Sequence, residues 1–304
     1  AVIALIISVG SGGNKSTPAS SVKAPAAQAA ATELAPAETV STAPMEVYVM
    51  ADTYYSPLDN NDDRPFWGQE QYTREDVKTV TFQSSLRNAP SDAWDMSENK
   101  DSSILAWMDN GDLYVAANGK IAPGSSARRL FSDFRNLEKI NFGNCFDTSG
   151  VRYMIDMFSG CSSLTSLDLS SFDTSSVEDM AFLFSGCTGL TRLNISSFST
   201  SSAEDISYMF ADCSGLTRLN LSNFNTSNVT DMAALFSGCS GLTSLNLRNF
   251  DTSNVTDMAY MFYKCSKLTD LDISSFVTSY GTNMESMFSY CDEPVSYTHL
   301  TLPT

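Results

Sequence analysis

The chain reads as an α/β repeat solenoid behind a β-rich N-terminal cap, and three observations lead to that fold class. Cys161, Cys187, Cys213, Cys239, Cys265 and Cys291 recur every 26 residues. Large apolar residues recur in fixed phase with them. Within each period one stretch alternates apolar and polar residues, as a half-buried strand does, and the next follows helical spacing. A fixed period of this length marks coils that cannot bury their apolar stripe alone and so stack into a shared core. Such a scaffold points to binding or support, and no enzyme is expected.

Each coil justifies its two parts. Leu167 and Leu169 alternate with Ser166, Asp168 and Ser170, which predicts a strand with one buried face. Val177, Met180, Leu183, Phe184 and Cys187 then fall at offsets of three, six, seven and ten, which predicts a short helix. Ser176, Ser202, Asn228 and Asn254 stand where an N-cap belongs, and Asp179, Asp205, Asp231 and Asp257 follow three residues later, near a capping-box arrangement. The first coil, 131–158, is one residue longer, because Gly143, Asn144 and Cys145 loosen its turn.

The rest of the chain is assigned around this array of residues 131–291. Residues 1–10 (AVIALIISVG) are apolar but too few to cross a bilayer, and read as the remnant of a truncated signal peptide or anchor. Residues 11–45, rich in Ala, Pro, Ser and Thr, read as a disordered linker. Residues 46–130 are expected to cap the first exposed edge of the array. Within them, 77–82 alternates like a strand, and 104–108 and 113–116 form a hairpin across an Asn110-Gly111 turn. Trp67, Trp94 and Trp107 are assigned to the core of this cap. The tail 292–304 breaks the repeat and is expected to be non-native, the translation of a sequencing adapter.

Composition narrows function. The net charge is −17 with 17% charged residues, which disfavours nucleic acid and anionic lipid as partners. His299, in the tail, is the single histidine, so the array has no Ser-His or Cys-His nucleophile pair and no His-containing zinc site. No catalytic residue, cofactor or metal ligand is assigned. The cysteine ladder admits free buried thiols, disulfides between rungs, or a soft metal. Phe134 stands at the same phase in the first coil, and the thiols spread along a line, so free buried thiols are favoured. Cys145, out of register, is expected to be the most exposed. Asp173 with Asp179, and Asp251 with Asp257, raise a calcium reading, but capping accounts for the second member of each pair.

The solvent side of the strands is the candidate binding surface. It carries Lys139, Asn141, Asp168, Arg192, Asn194, Arg218, Asn220, Asn246, Arg248, Asp270 and Asp272. Polar arrays of this kind on a rigid scaffold suit macromolecular recognition.

The phrase Leu-x-x-Leu-x-Leu-x-x-Phe-Asp-Thr-Ser-x-Val-x-x-Met-x-x-Met-Phe-x-x-Cys resembles the BspA-like leucine-rich repeat surface proteins of bacteria. The likeness spans about residues 90–291, strongly in the repeats and more weakly at Trp94-Asp95-Met96-Ser97, 104–107, 113–115 and 121–123. It implies leucine-rich-repeat-like coils, each a strand plus a short helix, in an extracellular or cell-surface protein. The implied function is adhesion to a host extracellular-matrix or cell-surface protein or glycoprotein, or to a neighbouring bacterial cell. Membrane contact is implied only through an N-terminal anchor. The alternative is a structural surface spacer presenting a missing C-terminal domain. Two departures stand out: Ser11-Gly12-Gly13-Asn14 supplies no lipid-attachment Cys after the apolar run, and the last coil has Val277 and Gly281 in place of Asp and Val.

Overall fold

The computed structural model describes residues 45–51, 67, 71–278, 281–292 and, for the backbone, 296–298. The remnant at 1–10, nearly all of the linker at 11–45 and most of the tail at 292–304 fall outside the described residues. The described residues are strand-rich and repeat-like.

The strands, in chain order, are β1 (Val47–Val49), β2 (Thr79–Gln83), β3 (Trp94–Asp95), β4 (Ile104–Asp109), β5 (Asp112–Ala117), β6 (Lys120–Ala122), β7 (Lys139–Asn141), β8 (Ser166–Asp168), β9 (Arg192–Asn194), β10 (Ser244–Asn246), β11 (Asp270–Asp272) and β12 (Ser296–Thr298). β3, β4, β5, β2 and β7 form one sheet in that order. β4 and β5 are the expected hairpin, with Asn110 and Gly111 both at positive φ (51° and 96°), as a tight two-residue turn requires. β2 is central, parallel to β5 on one side and to β7 on the other. Because β7 is the strand of the first coil, the N-terminal sheet runs directly into the repeats, with Thr79 beside Lys139 and Thr81 beside Asn141. Trp67 is buried against Phe131 and Phe134 and donates its indole N–H to the Leu130 carbonyl, and Trp94 donates to Trp67. Trp107 stacks half-buried on Tyr114.

From β8 onward the coils stack in parallel at the sequence period. Ser166 lies beside Arg192, Asp168 beside Asn194, Ser244 beside Asp270 and Asn246 beside Asp272. β12 continues the same offset from β11. Leu167, Leu245 and Leu271 point inward and are buried.

The helix expected in each coil does not form; among the described residues there is no α-helix, only two short 3-10 turns at Arg74–Asp76 and Leu86–Asn88. Two left-handed residues interrupt each such segment. One series is Asp156, Phe182, Tyr208, Ala234, Tyr260 and Ser286, and the other Gly160, Gly186, Asp212, Gly238, Lys264 and Tyr290, all at positive φ. A right-handed helix cannot pass through two such residues four apart. The backbone instead alternates its partners. The N–H groups of Met180, Phe182, Phe184 and Gly186 reach the carbonyls of Asp205, Ser207, Met209 and Ala211 in the next coil at 2.8–2.9 Å. Those of Leu183, Ser185 and Cys187 close turns onto Met180, Phe182 and Phe184. The offsets of three, six, seven and ten still select the buried side chains, because a corner of consecutive turns buries the same positions as a helix face.

The residues expected to cap helices take other roles. Ser202, Asn228 and Asn254 donate to carbonyls of the preceding coil, at Ser175, Ser201 and Ser227. Asp179, Asp205, Asp231 and Asp257 each accept the N–H two residues on and stack in register with one another.

Three further rows run through the core. Phe131, Phe158, Phe184, Phe210, Phe236, Phe262 and Phe288 form a continuous column of parallel rings with centroids 5.4–5.7 Å apart. Each ladder cysteine donates its thiol to a phenylalanine carbonyl of the preceding coil, from Cys161 to Phe131 through Cys291 to Phe262, at 3.0–3.1 Å. The buried Thr148, Thr174, Thr200, Thr226 and Thr252 each donate to one carbonyl of the next coil and accept the N–H of that same residue, at 2.8–2.9 Å. A buried carbonyl or amide without such a partner would cost about 1–3 kcal/mol. These rows therefore satisfy the main chain where the coil turns.

Candidate binding face

The eleven sequence-selected residues fall on the strand side. Lys139, Asn141, Asp168, Arg192, Asn194, Arg218, Asn220, Asn246, Arg248 and Asp270 are exposed, while Asp272 is half-buried beneath Arg248, with which it pairs. They do not form one uniform strip. β8 pairs only with β9, and β10 with β11 and β12, and between these two groups the rung at 218–220 is not a strand.

Among the described residues no main-chain hydrogen bond joins 217–220 to the coil before or after. The same phase also concentrates positive charge here. Arg192 and Arg218 occupy the same position in successive coils, where the paired rungs carry Ser166 with Arg192 and Ser244 with Asp270. Leu193 and Leu219 are only partly buried, whereas Leu167, Leu245 and Leu271 are covered. A shallow groove of ~600 Å³ runs across this place, floored by Leu193 and Leu219 and edged by Arg192, Arg218, Asp168 and Asn220.

Hydrogen bonding distinguishes the groove from its flanks. Arg248 is neutralised by Asp272, and on another side of the coil Arg152 is neutralised by Glu178. Arg192 and Arg218 form no ion pair among the described residues. Asn194 donates its amide to Asp168, and the Asp168 carboxyl, also bonded to the N–H of Ser170, is held below its ordinary pKa chiefly by its bonds to Ser170. The Asn220 side-chain oxygen accepts the N–H of Ser222, which leaves its amide N–H groups as donors. The groove thus sets two guanidinium groups and the Asn220 amide donors beside one carboxylate, Asp168, on a chain of net charge −17.

The cysteines and aspartates do not converge on a point. All seven thiols are free. Cys145, expected to be the most exposed, is instead buried, because its turn docks on β6, where the Ile121 N–H bonds to the Cys145 carbonyl. Cys291 is the thiol with most access to solvent. Burial pushes Cys187 and Cys265 up to about 12 and Cys213 and Cys239 well above the usual thiol range, so these groups are poor nucleophiles at neutral pH. Asp173 and Asp251 accept from Ser175 and Ser253. Among the described residues no cluster of three or more His, Cys, Asp or Glu has the arrangement of a metal site.

The family described as "Mycoplasma protein of unknown function, DUF285" matches residues 125–219 and 216–294, the length of the repeat array. The chain belongs to this family. Among solved structures, a leucine-rich repeat protein from Bacteroides ovatus is similar at 15% identity, over 79% of this chain and 69% of that one, with a TM-score of 0.31. A search of curated proteins finds no match. The match covers the repeats of this chain, and the groove is formed by residues within it.

Sequence reasoning placed Arg192 and Arg218 on one face but missed the open rung between them. The signal was present, since 192 and 218 differ by one period. The threonine row was missed as well, although Thr174, Thr200, Thr226 and Thr252 keep the period as strictly as the cysteines do.

Proposed function

We propose that this protein is an extracellular or cell-surface repeat protein of the BspA-like type, a leucine-rich-repeat solenoid that mediates adhesion through its exposed strand face. One observation carries the reading. The rows at the turn side keep their residue from coil to coil, while the strand-face row changes through Lys139, Ser166, Arg192, Arg218, Ser244 and Asp270. A constant scaffold with a varied exposed row is how stacked repeats build a recognition surface. The partner on this reading is a matrix or cell-surface protein or glycoprotein, or a neighbouring cell. No catalysis is proposed. Burial of six of the seven thiols suits an oxidising exterior, because a thiol shielded from solvent resists oxidation.

The test is retention on immobilised matrix proteins and on whole cells, comparing the native chain with the triple variant Arg192→Ala, Arg218→Ala and Arg248→Ala. Specific retention that the triple variant loses supports adhesion through this face. Retention by neither protein, or equally by both, overturns it and leaves the chain as a structural spacer.

A further inference from the structure

We infer that the open rung between Arg192 and Arg218 is a recognition site for an extended acidic peptide segment, and that the segment's carboxylates bridge the two guanidinium groups. The inference rests on the adhesion reading above and names the chemistry of its partner.

Three observations converge on it. The first is electrostatic: two arginines at the same phase of successive coils edge one groove and neither has an ion-pair partner among the described residues, while the coils before and after carry Ser166 and Ser244 at that position. An anion placed between the guanidiniums would remove their mutual repulsion and form charge-assisted bonds to both. The second is the unpaired main chain of residues 217–220, which offers amide donors and acceptors to a peptide backbone. The third is the floor of Leu193 and Leu219, both partly uncovered in the groove. That floor accepts the small apolar side chains of a segment alternating acidic and apolar residues.

The same features argue against a sulfated polysaccharide. A polyanion would meet the field of a chain with net charge −17 beyond this one groove, and its polar surface would leave the leucine floor uncovered. A short acidic segment can place its carboxylates at Arg192 and Arg218, with Asp168 confined to one edge by its bonds to Ser170 and Asn194.

Fluorescence anisotropy of the full chain with a labelled Gly-Asp-Leu-Asp-Leu-Asp-Gly peptide tests the inference. Saturable binding is expected, weakened about tenfold by Arg218→Ser or Arg192→Gln and unaffected by Arg152→Gln, which lies away from the groove. Arg218→Ser installs the residue that Ser166 and Ser244 hold at this register, so it is compatible with the fold, and an unchanged thermal melt verifies this. The Asn-for-Asp isostere of the peptide and a heparin oligosaccharide complete the set. No saturable binding, equal binding of the isostere, tighter binding of the oligosaccharide, or indifference to Arg192 and Arg218 would each overturn the inference. Adhesion that persists while the peptide fails to bind sinks this proposal alone. Peptide binding without adhesion sinks the broader reading and leaves the site.

Discussion

The turn side of each coil and the strand side use the same 26-residue period in opposite ways. On the turn side the N–H groups of Met180, Phe182, Phe184 and Gly186 all reach the next coil, and the thiol and threonine rows satisfy what the turns leave over. On the strand side only three residues per coil can pair, and at 218–220 even these do not. The difference teaches where stability and recognition reside. The turn side clamps the stack through bonds that every coil repeats, so the strand side is free to vary its charges, and at one rung to give up pairing altogether.

Four substitutions probe this contrast, in falling order of effect. Phe210→Ala removes a fully buried ring stacked on both Phe184 and Phe236, and urea unfolding should register a loss of about 3–5 kcal/mol. A loss under 1 kcal/mol would mean that the column is ornamental. Thr200→Val keeps the shape but strands both the N–H and the carbonyl of Asn225, with an expected loss of about 2–3 kcal/mol, whereas Thr200→Ser should stay near the native melting temperature. Equal melting of the Val and Ser variants would show that the hydroxyl row contributes nothing.

The third substitution moves stability upward. Lys264 sits at φ 59°, where Gly160, Gly186 and Gly238 stand in other coils, and a side chain in the left-handed region costs about 1 kcal/mol. Lys264→Gly should therefore raise stability by about 1 kcal/mol, and a lowered melt would refute the strain. The smallest effect concerns the aspartate row. Burial raises the Asp231 carboxyl above its ordinary value, and the neighbouring Asp205 and Asp257 add to the shift. A raised folded-state pKa favours the fold at pH values below the unfolded pKa, and that advantage is lost as pH rises through the folded value. At neutral pH the charged Asp231 therefore opposes folding. Asp231→Asn keeps the acceptor for the Ala233 N–H, as Asn283 does for the Glu285 N–H at the same phase, and should melt higher at pH 7 with a smaller gain at pH 4. A larger gain at pH 4 would reverse the assignment.

Much of the fold was legible in the sequence because burial and period are legible. The buried Leu164, Leu167, Phe172, Phe184 and Cys187 keep their phase, and the Asn110-Gly111 turn specifies its hairpin. Backbone conformation was less accessible. The residues from Val177 to Cys187 have the spacing of a helix face, and nothing in that spacing reveals that Phe182 adopts a left-handed angle or that the N–H groups leave the coil. Gly186 was the available hint, since a glycine recurring inside a presumed helix marks a place where the chain turns against its usual hand. The burial of Cys145 depends on β6, 25 residues earlier, by a contact that local pattern does not encode. On the binding face, which residues point outward followed from alternation alone. That Arg192 and Arg218 share a phase follows from the period, but that the rung at 218–220 pairs with neither neighbour does not.

Hydrogen exchange of the free protein in deuterated buffer, read by peptide mass spectrometry, measures the central contrast directly. The segment 180–187 should be strongly protected and 217–220 should exchange with little protection, although the two lie only two coils apart. Protection of 217–220 equal to that of β8 and β9 would contradict the open rung and the site built on it.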